Sequence, residues 1–146
     1  LNLKNRLPKF IKVISSESKR SQTTAKLLTD KIPLTDSRAG FYMASQQKSD
    51  ELNRLAKEKN ISFLEAVLLY NDEEVLVGVS NQADQLNELI DELFESLQEN
   101  ENALIVSHDL SISPAMQKRG IRIEHIPFLS GYIIDGENRI MFFNSK

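Results

Sequence analysis

The stretch Phe10-Ile11-Lys12-Val13-Ile14-Ser15-Ser16-Glu17-Ser18-Lys19-Arg20 decides how the chain is read. Its first five residues are apolar apart from one lysine and mostly β-branched, which predicts a buried strand. Two serines end the strand, and Ser16 is expected to cap a helix over residues 17–32. That helix has Ala25, Leu27, Leu28 and Ile32 as its apolar positions and Pro33 as its stop. On the upstream side, Leu3 and Leu7 share a face and Pro8 follows, so residues 1–9 read as the end of a helix. Helix, strand and helix in succession indicate a parallel α/β sheet.

Further along, residues 36–47 show no period and read as a loop or an excursion over the sheet. Residues 49–60 and 62–70 read as helices, the first with Leu52, Leu55 and Ala56 on one face. Asn71-Asp72-Glu73-Glu74 is a polar turn. The strongest periodic signal covers residues 81–99. There Leu86, Leu89, Ile90, Leu93, Phe94 and Leu97 form one wide apolar stripe, too short for a coiled coil and therefore core. Ala103-Leu104-Ile105-Val106-Ser107 is a second buried strand, and His108 stands at its carboxyl end. A short helix is expected over residues 111–118, with Gly120 as its stop. Strand-like runs cover residues 121–126, 131–134 and 139–143, and Asp135-Gly136-Glu137-Asn138 is a hairpin turn between the last two. One domain over residues 1–146 is the simplest organisation.

Composition removes several function classes. At 146 residues, with 40% hydrophobic and 27% charged residues, the chain has the make-up of a soluble globular domain. Its net charge of −3 leaves no basic field for nucleic acid, and no apolar run is long enough for a membrane. Without cysteine there is no disulfide or thiolate metal site. The two histidines, His108 and His125, show no zinc-binding spacing. No metal or organic cofactor is expected, and a cytoplasmic location is. The first residue is Leu1 rather than Met, so the expectation is that something upstream was cut away or that the sequence starts inside a longer reading frame.

Two places share one pattern, a buried strand that ends in polar residues and feeds a helix. One is Ser15-Ser16-Glu17-Ser18-Lys19-Arg20, the other Ser107-His108-Asp109. Open α/β sheets bind ligands beyond the carboxyl ends of their strands, where helix N-termini favour anions. A guanidinium such as that of Arg20 grips phosphate oxygens in bidentate fashion, and His108 adds a second charged hydrogen bond. Against these stand plainer roles: Arg20 as a surface arginine, His108 as a structural histidine, Asp36 as a turn residue, and Asp109 as the cap of the helix near Ser111. His125 reads as a strand residue without chemistry.

The run from Val13 to Ala25, with Ser-Ser at the strand end, Arg20 four residues later and Thr24-Ala25 four after that, resembles the histidine phosphatase (phosphoglycerate-mutase-like) superfamily. Leu104-Ile105-Val106-Ser107-His108 resembles that family's second catalytic stretch. Leu34-Thr35-Asp36-Ser37-Arg38-Ala39-Gly40 loosely resembles its Leu-x-Glu-x-x-x-Gly, with Asp in place of Glu. The resemblance implies a three-layer α/β/α sandwich with a mostly parallel central sheet and an antiparallel C-terminal edge. It also implies phosphoryl transfer through a phosphohistidine, as a phosphatase or phosphomutase on a small phosphorylated metabolite or a phosphoprotein. Carried over by residue, Arg20 is a phosphate clamp and His108 the second histidine. Asp36 is the proton donor, with Asp109 as its rival because one branch of the family places Asp directly after that histidine. The family's Arg-His-Gly strand, with the nucleophile and the first arginine, does not occur in this sequence. Three readings follow: a truncated sequence, a pseudo-phosphatase that binds phosphorylated ligands without turnover, and a non-enzymatic interaction domain. Oligomeric state is left open.

Overall fold

The computed structural model describes residues 2–40, 46–69, 77–121 and 126–144. It divides into two compact units, residues 1–40 with 85–108 and residues 41–84 with 109–146. The class is α/β, with a parallel sheet in the first unit and an antiparallel hairpin in the second.

In the first unit, α1 (Asn2–Arg6) leads to β1 (Lys12–Ser15) and α2 (Lys19–Thr29). β2 (Leu34–Thr35) and a 3-10 turn (Ser37–Ala39) follow. After the second unit's first segment come most of α5 (Val77–Ser96) and then β3 (Ala103–Val106). The strand order is β2-β1-β3, all parallel, with Ile14 opposite Leu34 and Ile105 and Ser15 opposite Thr35 and Val106. Strand β1 is thus the middle strand, and its Val13, Ile14 and Ser15 are buried. Pairing runs past both of its ends, through Ile11 N–H to Asn102 carbonyl at 2.9 Å and Ser16 N–H to Val106 carbonyl at 3.1 Å. Helix α2 packs on β1 and β3, and α1 on α2. Leu3, Ala25, Ala39, Leu86, Leu89 and Leu93 are buried with the β1 side chains.

Three expectations change here. Helix α2 is shorter at both ends than residues 17–32. Ser18, not Ser16, is its N-cap, accepting from Ser21 N–H at 3.1 Å. Asp30 ends it in the left-handed conformation, φ 59°, with its N–H on the Lys26 carbonyl. Ile32 therefore lies outside the helix at 84% exposure, and Leu27 is 58% exposed, so neither is core. Finally, β3 is half-buried rather than fully buried. Among the described residues it pairs with β1 alone, so one edge of an all-apolar strand has no partner there.

The second unit holds α3 (Gln46–Lys59), α4 (Phe63–Leu69), α6 (Asp109–Lys118) and the strands β4 (Gly131–Ile134) and β5 (Ile140–Phe143). Leu52, Ala56, Ala66 and Val67 form its core, with Ile61, Phe63 and Leu110 packed on them. α4 opens on a reciprocal cap. Ser62 Oγ accepts from Glu65 N–H at 3.0 Å, and the Glu65 carboxylate accepts from Ser62 N–H at 2.7 Å. Helix α6 is longer than expected, starting at Asp109. The chain leaves it through Gly120 at φ 87°, a conformation that favours glycine. β4 and β5 pair antiparallel in their own two-stranded sheet, Tyr132 opposite Phe142 with ring centroids 5.4 Å apart. Residues 71–74 and most of the expected run 121–126 lie outside the described residues. Among the described residues no helix is long and apolar enough to cross a membrane.

Candidate functional site

Parallel pairing of β1 with β3 sets two carboxyl ends side by side. Ser15 is opposite Val106, so the next residues on each strand, Ser16 and Ser107, leave the sheet together. From that junction the Ser16 hydroxyl reaches the His108 Nε2 at 2.8 Å, a bond between residues 92 apart in sequence. The two segments singled out in the sequence thus meet at one place. Ser16 is 1% exposed and His108 is half-buried.

The bond to His108 continues as a line of hydroxyls. Ser16 Oγ lies 3.3 Å from Ser18 Oγ, and Ser18 Oγ lies 2.9 Å from Ser21 Oγ. Ser18 N–H also donates to Ser16 Oγ at 3.4 Å. The line therefore runs from the imidazole into the N-terminus of α2. At that terminus the first N–H groups of the helix have no intrahelical acceptor and favour an anion. Arg20 stands there, in the first turn, exposed.

Asp36 has a different setting. It caps the 3-10 turn, accepting from Arg38 N–H at 2.9 Å. Both of its oxygens also accept from the Arg38 guanidinium, from Nε at 3.1 Å and from Nη2 at 2.9 Å. The same Nη2 reaches Glu92 on α5 at 2.8 Å. The Arg38 hydrogen bonds outweigh partial burial and hold the Asp36 carboxyl below the usual carboxylate range. Glu92 is lowered by the same guanidinium, and Arg38 itself is raised, first by Glu92 and then by Asp36. That environment suits a carboxylate that stays ionised, not a group that gives up a proton near neutral pH. The loop is fixed from a second side, because Ser107 Oγ donates to the Ala39 carbonyl at 2.5 Å.

Asp109 opens α6 in the second unit. It is exposed, and its carboxylate accepts from Leu110 N–H at 2.8 Å. It is thus the first helical residue rather than the cap of a helix near Ser111. His125 lies outside the described residues. Among the described residues no group of three histidines, cysteines or acids is arranged to hold a metal ion. A surface depression lined by Lys4, Thr23, Lys26, Leu27 and Asp30 includes neither Arg20 nor His108.

Sequence reasoning singled out Arg20 and His108 and missed their companions. Ser16 was expected to cap a helix and instead bonds to the imidazole. Arg38 and Glu92 carried no signal, because an ion pair between residues 54 apart leaves no spacing to find. No protein-family model, no curated protein and no solved structure matches the chain.

Proposed function

We propose that this is a histidine-phosphatase-like domain that holds a phosphoryl group between the tips of β1 and β3, with Arg20 and His108 as its charged contacts. The observation that carries the reading is the 2.8 Å bond between Ser16 and His108. It joins the two segments that resemble the family's motifs, at the strand ends where α/β sheets bind ligands. The N-terminus of α2 adds helix-dipole attraction for the same anion. Where a nucleophilic histidine is supplied, the chemistry is that of a phosphatase or phosphomutase. Preorganised positive charge then stabilises the phosphoryl transition state. The ligand is a small phosphorylated metabolite or a phosphoprotein.

Two observations favour binding without turnover by this sequence alone. It contains no Arg-His-Gly, and Asp36 is engaged by Arg38 in a way that opposes the proton-donor role.

Thermal melting with phosphate and with orthovanadate tests the reading. Either anion is expected to raise the melting temperature, because a ligand that binds only the folded state stabilises it. Arg20→Ala and His108→Gln should each weaken binding more than tenfold, the loss of a charge-assisted hydrogen bond worth roughly 1.5–3 kcal/mol. The chain as it stands should leave an aryl phosphate unhydrolysed. Melting that ignores both anions would remove the phosphoryl-binding reading.

A further inference from the structure

We infer that Ser16 is a positioning residue for His108, and that Ser18 and Ser21 complete a hydroxyl line that keeps the imidazole in place in both of its protonation states. For its purpose at a phosphoryl group the inference rests on the function proposed above, but its geometry does not.

A serine hydroxyl donates one hydrogen bond and accepts two. Three hydroxyls in a row can therefore all point away from the ring or all toward it. When His108 carries a proton on Nε2, it donates to Ser16 Oγ. Ser16 then donates to Ser18 across 3.3 Å, and Ser18 to Ser21 across 2.9 Å. When Nε2 is bare, the three hydrogens reverse and Ser16 donates to the ring. The contact of Ser16 with His108 persists in both states. A backbone N–H in its place would fit only the bare nitrogen, and a carbonyl only the protonated one.

Burial gives the line its stiffness. Ser16 is 1% exposed and Ser21 5% exposed, so neither hydroxyl exchanges its partners freely with bulk water. Ser18 is held by its own role as N-cap, since its Oγ also accepts from Ser21 N–H. Ser16 is anchored through its backbone to β3 by the Val106 bond. The imidazole is thus tied to the strand junction and to the start of α2, the element that carries Arg20. An anion gripped by Arg20 would find His108 already oriented, so less ordering is left to binding.

The experiment is nitrogen-15 NMR of the histidine rings in the full chain. Long-range proton–nitrogen spectra report which ring nitrogen bears the proton, and His108→Gln assigns the signals of the two histidines. Ser16→Ala is expected to move the His108 signature, because Nε2 loses its hydroxyl partner. It should also weaken phosphate binding roughly tenfold, the size of one net hydrogen bond. Ser21→Ala removes the far hydroxyl, places a good helix former in α2 and is expected to move the same signature less. An unchanged His108 signature in folded Ser16→Ala overturns the inference. Should that variant not fold, an unchanged signature in Ser21→Ala overturns it instead. A signature that moves in a protein that binds no phosphate would support the positioning role and sink only the phosphoryl reading.

Discussion

Asp36 shows how one side chain takes the plainer of two roles that its sequence position offers, capping a turn. In the sequence it occupies the place of an acid in a loose motif, and in the structure both its oxygens are claimed by Arg38. The two roles separate by titration. The folded pKa of Asp36 lies below its ordinary value of 3.8. Its contribution is therefore complete above the unfolded value and disappears as pH falls through the folded one. Asp36→Asn keeps an oxygen for the Arg38 N–H and removes the charge. It is expected to cost about 0.5–1 kcal/mol at pH 7, a partly shielded ion pair, with the difference from wild type closing as pH drops below the ordinary carboxylate range. Asp36→Ala also removes the cap and should cost about 1 kcal/mol more. Urea midpoints across pH 2.5–7 would check both, and a cost for Asp36→Asn that does not change with pH would mean the charge contributes nothing. The contact between Ser16 and His108 was likewise beyond local reading. Periodicity places each residue on its own strand end, but only the parallel register of β1 with β3 shows that the ends adjoin.

At the scale of elements, local signals were legible where short-range chemistry decides. The stripe from Leu86 to Leu93 marked α5, short apolar runs marked β1 and β3, and Asp135 to Asn138 marked the hairpin, closed by Asp135 N–H on the Arg139 carbonyl at 3.0 Å. The turn works because Asn138 takes φ 60°, and the Asp135 carboxylate accepts from Glu137 N–H and Arg139 N–H. Element ends were less legible, because two capping residues can stand close together. Ser16 and Ser18 are both good caps by type, and the one nearer the helix took the role while the other turned to the imidazole. The cap of α4 gives a direct test of such local chemistry. Ser62→Ala removes the acceptor for Glu65 N–H and is expected to cost about 1 kcal/mol, read as a lower urea midpoint with an unchanged slope. Glu65→Gln keeps an oxygen for Ser62 N–H and should cost less than half as much. Equal losses in the two variants would show that the Glu65 charge contributes as much as the Ser62 bond.

For the whole molecule, the sheet of the first unit poses the sharpest physical question. Parallel strands are ordinarily covered on both faces and paired on both edges when they are wholly apolar. β1 meets that rule, with β2 on one side and β3 on the other, and its inner residues are buried. β3 reads Ala-Leu-Ile-Val, yet each of these residues is half-buried, and among the described residues one edge has no partner. The sequence predicted a fully buried strand here because composition reports how apolar a strand is, not how many neighbours it has. Such an edge leaves backbone N–H and C=O groups to solvent or to another strand. Hydrogen exchange distinguishes the cases. With β3 at an open edge, its amides should exchange faster than those of Val13, Ile14 and Ser15, which lie between two strands. Because His108 follows the end of β3 by two residues, protection there also bears on the proposed site. If the β3 amides prove as slow as those of β1 in this chain, another strand already covers that edge. If they are fast, that edge is open to solvent, and an all-apolar strand is held on one side alone.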